Sequence, residues 1–234
     1  MNLKEAKVLI TGASSGIGLQ TAKMLIAQGA KVAICARNAE KLHKVAKEIG
    51  AFGIVADVSN ENDVKKMVQA VIKEFGGFNV LINNAAFGHF APLTEISTEK
   101  FNELLATNIT GAMMVGRESA KHFIENSYGN IVNISSTAGN AGFASGTTYV
   151  ATKFALKGMT ECWRAELRKH NIRVMLVNPS EVQTNFLPNS GREARLENPT
   201  KLDSEEISHV ILAMLEMRDR GFITEATVFA TNPQ

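Results

Sequence analysis

Lys7-Val8-Leu9-Ile10-Thr11-Gly12-Ala13-Ser14-Ser15-Gly16-Ile17-Gly18 reads as five strand residues, a glycine-rich turn and the start of a helix. The continuous apolar run suits a strand covered on both faces. Three glycines at the turn let the backbone bend sharply and approach a ligand closely. The helix beyond would offer unpaired N–H groups and the positive end of its dipole to a pyrophosphate. The spacing departs from G-x-G-x-x-G, and no Gly-Lys-Ser/Thr follows, which argues against a nucleotide-hydrolysing phosphate loop. A tight turn without a ligand is the other reading, but a place in the first strand–helix unit favours a cradle of Gly12, Ser14, Ser15, Gly16, Ile17 and Gly18.

Outward from this unit the pattern repeats. Further strand candidates lie at 32–35, 53–56, 80–82, 130–134, 174–177 and 226–229, most of them continuous rather than alternating. Helical segments of roughly ten to twenty residues lie between them, judged by apolar period. Asp203-Ser204-Glu205-Glu206 reads as a capping box before an Ile207/Val210/Ile211/Met214 stripe. Strand–helix alternation predicts an α/β fold, a single doubly wound parallel sheet of about seven strands with helices on both faces and ligands at the strands' carboxyl ends. Residues 1–234 contain no linker or repeat, so one domain is expected. The stretch 185–202, rich in Asn, Pro, Gly and charge, reads as either a substrate lid or a mobile loop.

With 45% hydrophobic and 21% charged residues, the 234-residue chain has ample material for one core. A net charge of +2, with scattered basic residues, gives no reason to expect nucleic acid or an anionic membrane as partner. Cys35 and Cys162 read as two buried thiols in a reducing compartment. Without an HxxxH pair or a CxxC, no metal site is expected. The start of the chain does not read as a signal peptide, and no apolar stretch is long enough for a bilayer, so a cytoplasmic location is expected.

Tyr149 and Lys153 stand four residues apart, on one face of a helix. An ammonium beside a phenol favours the phenolate, so the pair predicts a tyrosine pKa lowered toward neutrality and usable as a general acid and base. A half-buried tyrosine with a solvated lysine is the bland alternative. Ser136, at the end of the fifth strand, is placed to orient a substrate carbonyl, and Asn108 is a polar residue on an otherwise apolar helix beginning near Ser97. At the end of the second strand, where a carboxylate would bind the ribose 2′-hydroxyl of NAD, the chain has Ala36-Arg37-Asn38. Arg37 suits a 2′-phosphate, predicting NADP(H) in preference to NAD(H), unless it is simply a surface cation.

Gly12-x3-Gly16-Ile17-Gly18, Asp57-Val58, Asn83-Asn84-Ala85, Asn108, Ser136 and Tyr149-x3-Lys153, in this order and spacing, resemble the short-chain dehydrogenase/reductase family across essentially the whole chain. The resemblance implies a Rossmann domain that moves a hydride between NADP(H) and a carbonyl or secondary alcohol. It makes Tyr149 the acid/base, and Lys153 the cation that lowers its pKa and binds the nicotinamide ribose. Ser136 would polarise the substrate oxygen, and Asn108 would hold a water in a proton relay. Asp57 and Val58 would contact the adenine, Asn84 and Ala85 would lie along the cofactor, and Pro179, Val182 and Thr184 would grip the carboxamide. Ala86 and Ser180 replace family glycines and would crowd the cofactor if either position needs φ > 0.

Phe87, His89, Phe90, Phe143, Phe186 and Leu187 are candidate pocket residues, the aromatic ones suggesting an apolar substrate with core packing the alternative, while His89 reads first as an exposed loop histidine. A general NADPH-dependent carbonyl reductase is the favoured expectation. A 3-oxoacyl-acyl-carrier-protein (or -CoA) reductase is second, with Arg192 and Arg195 either available to an anionic substrate or carrier or, equally, part of a solvated loop, and a non-catalytic NADP(H)-binding sensor is remote. Residues 154–163 are apolar on more than one side, and the family's usual dimer or tetramer uses this helix, so a homodimer or homotetramer is expected.

Overall fold

The computed structural model describes residues 1–186, 190 and 198–232. Seven parallel strands form one sheet in the order β3-β2-β1-β4-β5-β6-β7. They are β1 (Lys7–Thr11), β2 (Lys31–Ala36), β3 (Phe52–Val55), β4 (Val80–Asn83), β5 (Gly129–Ile134), β6 (Ile172–Pro179) and β7 (Glu225–Val228). Each coincides with an expected strand to within a few residues. The helices between them are α1 (Gly16–Ala27), α2 (Ala39–Ile49), α3 (Glu61–Phe75), α4 (Thr98–Leu105), α5 (Ala112–Glu125), α6 (Thr147–Leu167) and α7 (Ser204–Glu216).

Side chains alternate across a strand, so each continuous apolar run feeds two cores at once. Val8 and Ile10 of β1 and Val32 and Ile34 of β2 pack with Leu25 of α1, Leu42 of α2 and Ile211 of α7. Leu9, Ala33 and Cys35 point the other way, to Val64 and Met67 of α3 and Val115 and Phe123 of α5. Cap residues close the helices locally. Asn38 accepts from Lys41 N at 2.9 Å, and Asp203 and Glu206 form the expected capping box on α7.

The helix beginning near Ser97 continues through Asn108 but is distorted there: α4 runs into a π-helical segment, Ala106–Gly111, before α5. This segment is packed tightly, since a Cβ on Gly111 would lie 3.0 Å from the Val58 carbonyl oxygen. Cys35 is buried as expected, but Cys162 is exposed, because its side of α6 faces away from the sheet.

The end of α7 is stabilised from the sheet. Arg173, buried in β6, donates to the carbonyls of Met217 (2.9 Å) and Leu215 (3.0 Å) and to Asn130 Oδ1. Those are carbonyls that a helix terminus leaves unpaired. Arg173→Met should therefore lower the unfolding free energy by about 3 kcal/mol. Urea denaturation should show a lower midpoint at an unchanged slope.

Candidate active site

β1 and β4 lie side by side, and the chain order reverses between them, leaving a crevice at their carboxyl ends. Thr11 and Asn84 set its shape. Thr11 Oγ1 accepts from the backbone nitrogens of Asn84 and Ala85, each at 3.1 Å. Asn84 Nδ2 returns two bonds, to the carbonyls of Thr11 (2.9 Å) and Gly12 (3.1 Å). Glycine is required at 12: φ is +66°, and a Cβ would come within 2.7 Å of Ala85 Cα. Gly16, φ +57°, turns the chain into α1. Ser15 occupies the N-cap of α1 but makes no side-chain cap bond, so among the described residues the first-turn amides are left without a capping partner. Gly18 serves packing instead, since a Cβ there would meet Asn84 Nδ2 at 2.6 Å.

The crevice continues into a cleft of about 790 Å³. Gly12, Ser15, Gly16 and Ile17 line one end with Asn84 and Ala86. Ser136, Tyr149 and Lys153 line the middle, and Pro179, Val182 and Thr184 the wall after β6. Tyr149 and Lys153 share a face of α6, and Lys153 Nζ lies 5.6 Å from the Tyr149 ring centroid. The ammonium donates to the carbonyl of Ile134, the last residue of β5, at 2.9 Å. Ser136 Oγ accepts from Ala138 N at 3.1 Å, which leaves its own proton for a neighbouring oxygen.

Electrostatically the free site differs from expectation. Burial pushes the Tyr149 phenol up to about 12, opposed only by a hydrogen bond from Ser136. Burial also depresses Lys153 to about 8. Burial thus outweighs any lowering of the tyrosine pKa by the lysine, whose ammonium is directed to the Ile134 carbonyl.

Several expected residues lie away from the cleft lining. Arg37 is exposed at the end of β2, Asn38 caps α2, and Ser14, Ala85 and Val58 do not line the cleft. Asp57 turns its carboxylate to Ser59, accepting from its nitrogen (2.9 Å) and hydroxyl (2.7 Å). Asn108 clamps Phe87, accepting from its nitrogen (3.1 Å) and donating to its carbonyl (2.9 Å), and donates to Thr152 Oγ1 at 3.2 Å. Neither Ala86 nor Ser180 has a positive φ, so the lost glycines cause no backbone strain.

Of the aromatic candidates, Phe90 and Phe186 flank the Tyr149 ring at 5.5 and 5.4 Å, and Phe143 follows at 6.1 Å from Phe90. Phe87 packs in the small cluster of Leu104, Ala138 and Tyr149, and His89 is half-buried beside the cleft rather than exposed. Phe229 and Asn140 also line the cleft and were not foreseen. Phe229 sits just past a strand, where a core reading hides its exposure. The ends of the expected lid are tied: Gln183 Nε2 donates to the carbonyl of Asn198 (2.8 Å), and Gln183 Oε1 accepts from its nitrogen (2.6 Å). Residues 187–189 and 191–197, with Leu187, Arg192 and Arg195, lie outside the described residues.

Among the described residues no helix is long and apolar enough to cross a membrane, and no cluster of three metal-ligating side chains occurs. The chain is 36% identical over 192 residues to YxnA, an uncharacterised oxidoreductase of Bacillus subtilis (strain 168); the match covers 79% of this chain and 54% of that protein. Its fold matches the 3-ketoacyl-(acyl-carrier-protein) reductase of Brucella melitensis in complex with NADH, with a TM-score of 0.88, 29% identity and 96% of each chain covered. It also matches an alcohol dehydrogenase from the archaeon Thermococcus sibiricus complexed with 5-hydroxy-NADP, with a TM-score of 0.87 and 25% identity over 98% of this chain and 100% of that one. Residues 6–195 match the profile described as short chain dehydrogenase, from the strand before the glycine turn to past the Thr184 wall, and the chain is therefore an oxidoreductase of the short chain dehydrogenase family.

Proposed function

We propose that the protein transfers a hydride between NADP(H) and a carbonyl or secondary alcohol, with Tyr149 as general acid and base. One observation carries the reading: a single cleft brings the glycine turn and the uncapped start of α1 together with Ser136, Tyr149 and Lys153. The cradle fits a dinucleotide, because its two positive-φ glycines keep side chains out and its α1 amides are unpaired. NADP(H), when bound, supplies or accepts the hydride. Gly12, Ser14, Ser15, Gly16, Ile17 and Gly18 shape its phosphate site. Asn84, Ala85, Ala86, Pro179, Val182 and Thr184 border the nicotinamide end, and Asp57, Val58 and Asn38 border the adenine end.

In the reduction direction Ser136 donates to the substrate oxygen and positions it, while Tyr149 gives up its phenolic proton. Lys153 stabilises the phenolate left behind. Asn108 is a positioning residue, holding Phe87 against the wall that carries Tyr149 and orienting Thr152, whose hydroxyl donates to the Tyr149 carbonyl at 2.7 Å. Arg37 supports NADP(H): it makes no hydrogen bond or ion pair among the described residues, and no carboxylate stands at 36–38. Likeness to the Brucella reductase keeps a 3-oxoacyl thioester as the second reading. The outer side of α6, with Phe154 at 47% exposure, supports pairing of two or four copies through this helix. Two free thiols suit a reducing cytoplasm.

Tyr149→Phe removes the transferable proton and leaves the ring. Carbonyl-dependent NADPH consumption should fall by at least about a thousandfold, with NADPH binding kept in a fluorescence titration. A non-catalytic sensor would show no such turnover in either protein.

Arg37→Ala should raise the KM for NADPH about tenfold and leave that for NADH nearly unchanged, because the lost contact is to the 2′-phosphate alone. Steady-state kinetics with both cofactors measures this.

The pH profile follows from Lys153. Its ammonium is held below about pH 8 and lost above it, while Tyr149, raised to about 12, keeps its proton throughout. Reductive kcat/KM should therefore be flat below pH 8 and fall about tenfold per unit above it. In Lys153→Arg, whose charge does not titrate in this range, any residual activity should lose that alkaline limb.

A further inference from the structure

Asn140 closes the short 3₁₀ turn, Thr137–Gly139, that Ser136 opens, and both residues line the cleft. Lys157 Nζ lies 2.6 Å from Asn140 Oδ1. An ammonium can only donate, so the atom facing it is the amide oxygen, and the orientation of the Asn140 amide is thereby assigned. Its NH₂ group has no hydrogen-bond partner among the described residues. Lys157 is itself held, 3.4 Å from Glu225 Oε1, and the same oxygen accepts from the buried Asn178 Nδ2 at 2.6 Å.

We infer that Asn140 is a specificity-determining donor for a second, neutral oxygen on the substrate, so that the preferred substrates are ketones bearing another carbonyl group. This rests on carbonyl reduction at Tyr149. The neutrality comes from the lining, whose described charged side chains are Lys153 and Glu181. Lys153 is bonded to Ile134, and Glu181 is ion-paired with Lys201 at 3.1 Å. Beside Asn140 the neighbouring ammonium, Lys157, is already paired with Glu225, so a carboxylate or phosphate there would meet no free described cation, whereas an amide NH₂ suits a ketone or ester carbonyl. At 2.0 Å per residue, a 3₁₀ turn separates the Ser136 and Asn140 backbones by about 8 Å. The two acceptors therefore lie a few bonds apart on one molecule. Lys157 is a positioning residue that keeps the amide turned toward the cleft.

The test is a series of four ketones on one six-carbon chain: 2-hexanone and 2,3-, 2,4- and 2,5-hexanedione. Asn140→Asp keeps an acceptor for Lys157, whose ammonium faces the new charge, and replaces the NH₂ donor by a carboxylate oxygen. Dividing variant by wild-type kcat/KM cancels the intrinsic reactivity of each ketone. For the best dione this ratio should be at least about tenfold lower than for 2-hexanone, the value of one lost hydrogen bond. Lys157→Met should reproduce part of that selective loss, about threefold. Equal losses on all four ketones, or no loss, would overturn the inference. Calorimetric titration of the Tyr149→Phe protein with the same ketones, with and without Asn140→Asp, reads the contact without turnover. It separates the inference from the proposed chemistry: selective loss of dione affinity upholds the inference even where no hydride moves, and unselective binding overturns it.

Discussion

Burying a lysine ammonium costs several kcal/mol unless its environment compensates. Lys153 is 3% exposed, and its one hydrogen bond among the described residues goes to the carbonyl of Ile134. That carbonyl ends β5, so the cation ties the middle of α6 to the carboxyl edge of the sheet, where the crevice opens. Tyr149, one turn earlier on α6, is held in the same wall, and Ser136 leaves β5 just beyond Ile134. The remaining ammonium protons point to no described partner, and burial has already lowered the affinity for them.

The other end of the cleft has a different origin. Between β1 and β4 the two halves of the sheet part, and each strand end would leave polar backbone unpaired. Thr11 and Asn84 pair with each other's backbone, which lets Gly12 pass against Ala85 with no room for a side chain. Deeper in the sheet, Asn83 donates to Asn133 Oδ1 at 3.0 Å, and Asn133 donates to Thr160 Oγ1 at 2.8 Å. This buried line connects β4 and β5 to α6, so the glycine turn and the Tyr149 wall are parts of one rigid framework rather than two loops that happen to meet.

The five inner strands were legible because a strand covered on both faces must be apolar at consecutive positions, whereas the half-buried edge strands β3 and β7 stood out only as short apolar runs between helical patterns. The glycine turn was legible because positive φ and close approach leave little choice of residue. The direction of the Tyr149 shift was not, since a four-residue spacing says which groups are near and nothing of how much water surrounds them. For Asn108 the sequence showed a polar residue among apolar ones, but its clamp on Phe87 depends on a π-helical segment that apolar period does not reveal. Lys157 is bonded to Asn140 and paired with Glu225, positions far apart in the chain, so no local pattern signals the group. Asp57 and Arg37 were located correctly at strand ends, yet their contacts with a ligand are not properties of position.

Phe90 and Phe186, tilted at 56° and 57° to the Tyr149 ring, exclude water from the phenol they flank. The same exclusion raises the tyrosine and lowers the lysine, moving the two groups in opposite senses. Aromatic cover of this kind therefore keeps the proton on the phenol over a wide pH range but weakens the charge of the ammonium beside it. Further burial of Lys153 would remove its charge at neutral pH, and greater exposure would forfeit the low-dielectric field that makes the charge effective. The Ile134 carbonyl is what balances these demands: it accepts from an ammonium but gains little from a neutral amine, so it favours the charged form inside an otherwise apolar wall.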